Sequence, residues 1–141
     1  GAMEEFMSGI ERRVVTCRRV LDIGPGANLA GYDLTGAQLA GIDLSGANLK
    51  GAKLGSADLR GANLTNADLT GAVLVFAQLR DAIVSGADFS WAKLRGANLV
   101  GVDRSTANFT GCDMLHATTE GDVDFYAYLK AFNPDWEPTK K

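Results

Sequence analysis

The residues that could do acid–base chemistry come down to one histidine, His116, and a set of regularly spaced aspartates. Asp33, Asp43, Asp58, Asp68, Asp88, Asp103 and Asp113 all stand in the same phase of a five-residue interval. Carboxylates so arranged could pair for general acid–base work or ligate calcium. The same phase, however, also holds Asn28, Asn48, Asn63, Asn98 and Asn108. A catalytic carboxylate does not exchange freely with an amide, whereas a side-chain oxygen bonding to nearby backbone does. His116 has no nucleophile placed near it by spacing, and a lone histidine is usually a surface group. Cys17 and Cys112 lie far apart, with no metal-ligand interval, and read as small reduced thiols. Nor is there a phosphate-binding glycine loop or a zinc spacing. No catalytic, cofactor-binding or metal-ligating residue is therefore expected, and an enzyme is the least expected class.

The chain has 141 residues, room for one domain, and a formal net charge of -3. Neither a strongly basic nor a strongly acidic field follows from that balance. No apolar stretch approaches the ~20 residues that cross a bilayer, so membrane insertion is not expected. Gly1-Ala2-Met3 reads as the remnant of a cleaved tag, with Met7 as the natural start and no signal peptide. Together with the reduced thiols, this gives an intracellular, cytoplasmic location as the expectation.

What must position the outward residues is a repeat. From Ala27 to Gly121 the chain divides into nineteen consecutive pentads without an insertion or deletion. The first place is Ala in fifteen, the third is Leu in thirteen and the fifth is Gly in twelve, too regular for chance. A period of five fits neither a helix nor a strand. Two residues of each five must face inward, one small and one large, and the chain must bend about once per pentad. Glycine at the fifth place suits such a bend because it accepts positive φ. Successive coils would then stack at the ~4.8 Å spacing of paired strands.

These columns resemble the pentapeptide-repeat family, whose motif is Ala-(Asp/Asn)-Leu followed by two free positions. The resemblance covers about two-thirds of the chain. It implies an all-β fold, a right-handed quadrilateral β-helix with four pentads per coil and about five coils. Phe89 and Phe109, the two phenylalanines at central places, would then lie one coil apart and stack. One departure is sharp: Arg104 occupies a place reserved for inward Leu. Burying an unpaired guanidinium is very costly. Either the coil distorts there or Arg104 reaches toward Asp122 or Asp124, and the regular helix should loosen after about residue 101.

Three segments follow. Residues 1–26 comprise the tag remnant and an N-terminal cap, with Val14, Val15, Val20, Leu21 and Ile23 over the first coil; a basic arm is the competing reading of the same stretch. Residues 27–121 are the repeat. Residues 122–141 read as a short C-terminal capping helix with a tail. Phe125, Tyr126, Tyr128, Leu129, Phe132 and Trp136 fall mostly at helical spacing there, as cap or homodimer contacts. An open β-helix end is an aggregation hazard, which is why caps are expected.

Comparing outward residues one coil apart singles out the face that begins with Tyr32. Its central pentad, Ala72–Phe76, turns Val73, Val75 and Phe76 outward. Lys53, Lys93, Arg95 and Leu115 lie on neighbouring coils, and Trp91 is expected at the corner of Phe76's neighbours. Val73, Val75, Phe76, Trp91, Lys93 and Arg95 are thus the candidate partner-binding residues. The competing reading has Phe76 and Trp91 packing on each other or under a terminal segment. The expected function is a non-catalytic, rigid interaction or scaffold module for a protein partner, with no cofactor and no nucleic acid. The alternative is a structural spacer that self-assembles through the terminal aromatics. The resemblance also brings DNA mimicry that protects DNA gyrase. Against it, residues 27–121 carry nine acidic and seven basic residues, and Lys50, Lys53, Arg60, Arg80, Lys93, Arg95 and Arg104 interrupt the negative surface.

Overall fold

The inward pairing of a small and a large residue closes each coil in twenty residues. The computed structural model describes residues 23–119 in full and residues 13–16 and 19–22 as backbone. Parallel bridges join residues twenty apart, from Asn28 with Asn48 to Asn98 with Thr118. The chain therefore winds four pentads per coil into a four-sided solenoid, through four coils and into a fifth. The first face carries the pentads that start at Ala27, Ala47, Ala67, Ala87 and Ala107. The second starts at Tyr32, Ala52, Ala72, Ala92 and Cys112. The third starts at Ala37 and the fourth at Ile42, each recurring every twenty residues.

The axis is filled by third-place side chains, with Leu29, Leu44, Leu64, Leu79 and Leu99 among those essentially inaccessible. First-place alanines from Ala47 to Ala97 are buried beside them. No polar or charged side chain is buried among the described residues. Phe89 and Phe109 stack as expected, with ring centroids 4.7 Å apart and planes 6° from parallel.

The motif is explained by an accounting of backbone N–H groups. The second-place N–H bonds to the coil before, as in Asn48 to the Ala27 carbonyl at 2.8 Å. The third and fifth bond to the coil after, as in Leu29 to Asn48 at 2.7 Å and Gly31 to Lys50 at 2.9 Å. The first closes the turn, as in Ala37 to Leu34 at 3.0 Å. That leaves the fourth N–H, which donates to the second-place side chain. Lys50 donates to Asn48 Oδ1 at 3.1 Å, Ser45 to Asp43 Oδ1 at 3.0 Å and Thr70 to Asp68 Oδ1 at 3.0 Å. An acceptor oxygen two residues back is all that is required, so Asp and Asn serve equally.

A hydroxyl at the fourth place adds a second donor to the carboxylate. The hydroxyls of Thr35, Ser45 and Ser90 hold the carboxyls of Asp33, Asp43 and Asp88 below the ordinary value of 3.8. Carboxyls depressed in the folded state stabilise it above the unfolded value near 4, and that stabilisation drains as pH falls through the folded values. The Asp33→Asn/Asp43→Asn/Asp88→Asn variant keeps the acceptor oxygens but not the titration. Its thermal midpoint should fall less than the wild type's between about pH 4 and pH 2, whereas parallel curves would assign acid loss to other groups.

Corners turn through the left-handed region at every fifth place from Gly26 to His116, with the exception of Thr106. Thr106 lies instead in a 3-10 turn, Arg104–Thr106. Here Arg104 is exposed rather than buried, so the coil distorts in order to expel it. Two residues cause this: a guanidinium cannot enter the apolar axis, and a β-branched Thr resists positive φ. The bridge expected between Ile83 and Asp103 is absent, and the Val84 N–H has no partner among the described residues. The loosening is confined to one pentad. Regular bridges resume at Asn108, Asp113 and Thr118, which corrects the expectation of a helix that loosens beyond residue 101.

Ahead of the coils, β1 (Arg13–Thr16) and β2 (Arg19–Asp22) form an antiparallel hairpin in which Val14 faces Leu21 and Val15 faces Val20. Ile23 joins the buried core. Cys17, the carboxylates Asp122 and Asp124, the capping helix and the contacts expected of Phe125, Tyr126, Tyr128, Leu129, Phe132 and Trp136 lie outside the described residues.

Candidate functional site

Corners are where a side chain is hardest to place, and twelve of them are glycine. Phe76 and Trp91 adopt φ of 61° and 62° there, a conformation that costs a bulky residue of order 1 kcal/mol. Both remain largely exposed, at 62% and 67%. Each ring lies along the rod over the glycine of the next coil. A Cβ built on Gly96 would come within 2.5 Å of the Phe76 ring, and one on Gly111 within 2.6 Å of Trp91. Glycine at those two places leaves the room that the rings occupy, which a Cβ would take from them.

Trp91 closes a pentad of the first face and Phe76 one of the second, so they project from opposite edges of the second face. This corrects the expectation of a shared corner: a corner belongs to the pentad it ends, and Trp91 ends the one before Ala92. The two rings do not stack on each other; Phe89 with Phe109 is the one aromatic pair among the described residues.

Between the two corners run the ladders of the second face. At the second place stand Asp33, Lys53, Val73, Lys93 and Asp113, joined by successive bridges. At the fourth place stand Thr35, Gly55, Val75, Arg95 and Leu115. Val73 and Val75 are half-buried, Lys93 and Arg95 are exposed, and Leu115 is 50% exposed. Arg95 Nε donates to Asp113 Oδ2 at 2.5 Å, which holds the Asp113 carboxyl below its ordinary range. All six candidate residues thus border or occupy one face. Ile83, 51% exposed on the fourth face, was not singled out in the sequence. Its signal was legible there, as an Ile in the column otherwise held by Asp43, Asn63 and Asp103.

The groups with reactive chemistry are not gathered. Cys112 Sγ donates to the Phe89 carbonyl at 2.8 Å, and burial pushes its thiol pKa up, away from the reactive thiolate. His116 sits exposed at a corner. No cluster of three or more His, Cys, Asp or Glu side chains suited to a metal occurs among the described residues. What this surface offers chemically is flat aromatic area, two aliphatic side chains and cations.

The pentapeptide-repeat family model matches residues 25–51, 47–86 and 87–118, in eight copies. A pentapeptide repeat protein from the Arabidopsis thaliana thylakoid lumen has a similar structure, at 33% identity and a TM-score of 0.64. The match covers 76% of this chain and 77% of that one. The pentapeptide repeat protein Rfr23 from the cyanobacterium Cyanothece 51142 aligns at 28% identity and a TM-score of 0.66, over 78% and 79% of the two chains. HetL, a pentapeptide repeat protein of Nostoc involved in heterocyst differentiation regulation, aligns at 35% identity and a TM-score of 0.52 over 66% of this chain but only 43% of its own. No curated protein sequence matches the chain. The neighbours' architecture gives the hand of winding, a right-handed quadrilateral β-helix.

Proposed function

Given that this chain belongs to the pentapeptide-repeat family, we propose that it is a non-catalytic, rigid interaction module whose second face, between Trp91 and Phe76, binds a protein partner. The observation that carries the reading is the placement of two exposed aromatic rings at left-handed corners, each seated on a glycine. Glycine would fill those corners at less conformational cost, and folding gives no reason for large apolar side chains there. Exposed aromatics beside cations are what protein interfaces favour. DNA mimicry is disfavoured by charge, since cations stand on all four faces: Lys50, Lys93, Arg60 and Arg104 are one from each.

The test uses Phe76→Asn/Trp91→Asn. Asn66 holds φ of 59° at an equivalent corner of this chain, so the variant should fold normally. A partner captured from source lysate by wild type should be lost by the variant at unchanged thermal stability. Equal capture would reduce the two rings to packing. The C-terminal aromatics at helical spacing support a further part of this reading, a cap over the last coil, where Phe109 and Met114 are only partly buried.

A further inference from the structure

On the second face the motif fails three times in succession, at Lys53, Val73 and Lys93. These residues stand where Asp or Asn would accept the fourth-place N–H. Accordingly the N–H groups of Gly55, Val75 and Arg95 have no partner among the described residues. The same ladder is complete at one end, where Asp33 accepts from Thr35 N–H at 3.1 Å, and at the other, where Asp113 accepts from Leu115 at 3.3 Å. Elsewhere the lapses are scattered. The first face has none, and Gln38 and Gln78 of the third alternate with Asp58 and Asn98, which do accept. Among the described residues, only here do consecutive coils leave a row of donors, about 4.8 Å apart. Lys53 and Lys93 flank the row, and neither closes an ion pair with a described residue.

We propose that this row is a carboxylate-binding strip, and that its occupant is an acidic α-helical segment of a partner protein. The inference rests on the reading of the second face as a protein-binding surface and adds the partner's chemistry. A partner carboxylate would replace the acceptor that the chain itself omits, and Lys53 and Lys93 would supply the opposite charge. Spacing selects the helix. Glutamates at i, i+3 or i+4, and i+7 advance about 5 Å per step, close to the pitch of the coils. Alternate residues of an extended strand advance about 6.7 Å and fall out of step within three coils. Stacked nucleic-acid phosphates rise about 3.4 Å per nucleotide. Asp33 and Asp113 close the strip at both ends, which suits a short acidic cluster and opposes a polyanion running past them. Val73 and Val75 receive the methylene stems of the central glutamate, and the rings of Trp91 and Phe76 meet the helix's flanks.

The probe is a fluorescent fourteen-residue alanine-based helix with glutamates at i, i+4 and i+7, read by anisotropy against the full chain. The decisive variant, Lys53→Asn/Val73→Asn/Lys93→Asn, restores the motif, so it should fold at least as well while filling every open donor internally. Binding by wild type, weakened at least tenfold by this variant and by glutamine in the peptide, is the expected result. Failure of the glutamate helix to bind wild type, or equal binding by the variant, overturns the proposal. So does tighter binding of oligothymidylate with the same dependence on the variant, which would assign the strip to nucleic acid. If the triple-Asn variant retains a lysate partner that Phe76→Asn/Trp91→Asn loses, the second face still binds protein and the carboxylate strip alone falls.

Discussion

Phe89→Ala should destabilise the rod by about 3–5 kcal/mol, the usual cost of emptying a buried phenylalanine site. Phe89 is inaccessible to solvent, and its ring lies parallel against Phe109 in the next coil. The coil cannot collapse into the space, because bonds above and below hold its backbone. Phe89 N–H donates to the Asn108 carbonyl at 2.7 Å and Asp88 N–H to the Ala67 carbonyl at 3.0 Å. The cavity term should therefore persist. Phe89→Leu returns the motif's own residue and should cost under about 1.5 kcal/mol. Phe109→Ala should fall between the two, since Phe109 is only partly buried. Urea unfolding of the three variants orders them. A loss below about 1 kcal/mol for Phe89→Ala would mean that the coils relax far more readily than their ladders suggest.

Arg104→Leu/Thr106→Gly should stabilise the protein, by about 2 kcal/mol or more. A leucine returned to the axis contributes about 1.5–3 kcal/mol of burial. The restored bridge gives the Val84 N–H a carbonyl partner, worth about 1 kcal/mol. Both changes are needed, since Leu at 104 cannot reach the axis while Thr106 refuses the left-handed corner. Amide exchange provides a local check. The Val84 amide should slow at least tenfold in the double variant and little in Arg104→Leu alone. Unchanged Val84 exchange in the double variant would show that the 3-10 turn is held by something other than these two side chains. Asp103 is the group to examine then, because it accepts from the Ser105 hydroxyl at 2.6 Å.

The rod was legible before any coordinates because its determinants are local and repeated. Ala at the first place and Leu at the third specify what goes inward, and the stacking of Phe89 on Phe109 followed once the family resemblance supplied four pentads per coil. The reason for Asp or Asn at the second place was legible only in outline. Local bonding to a turn was expected, but its recipient, the fourth-place N–H, emerges once every backbone donor is traced. Arg104 stood out by type, whereas Thr106 did not, because its offence is conformational. The corner of Trp91 is not legible from its pentad alone, since each corner is shared between the face it ends and the face that follows. The row of open donors is a property of omissions. Lys53, Val73 and Lys93 look ordinary one at a time and acquire meaning only as consecutive rungs.

The twenty-residue register makes the rod a geared shaft. Inserting a whole coil lengthens it by about 4.8 Å and returns every downstream face to its old direction. Inserting a single pentad indexes everything beyond it by a quarter turn. A pentad added between Ser56 and Ala57 would set Lys53 on one side and Phe76, Lys93 and Arg95 on the next, dividing the second face while leaving the axis equally full of leucine. Such a chain would be as stable as its parent and blind to the same partner, because what a pentad count governs here is direction rather than strength.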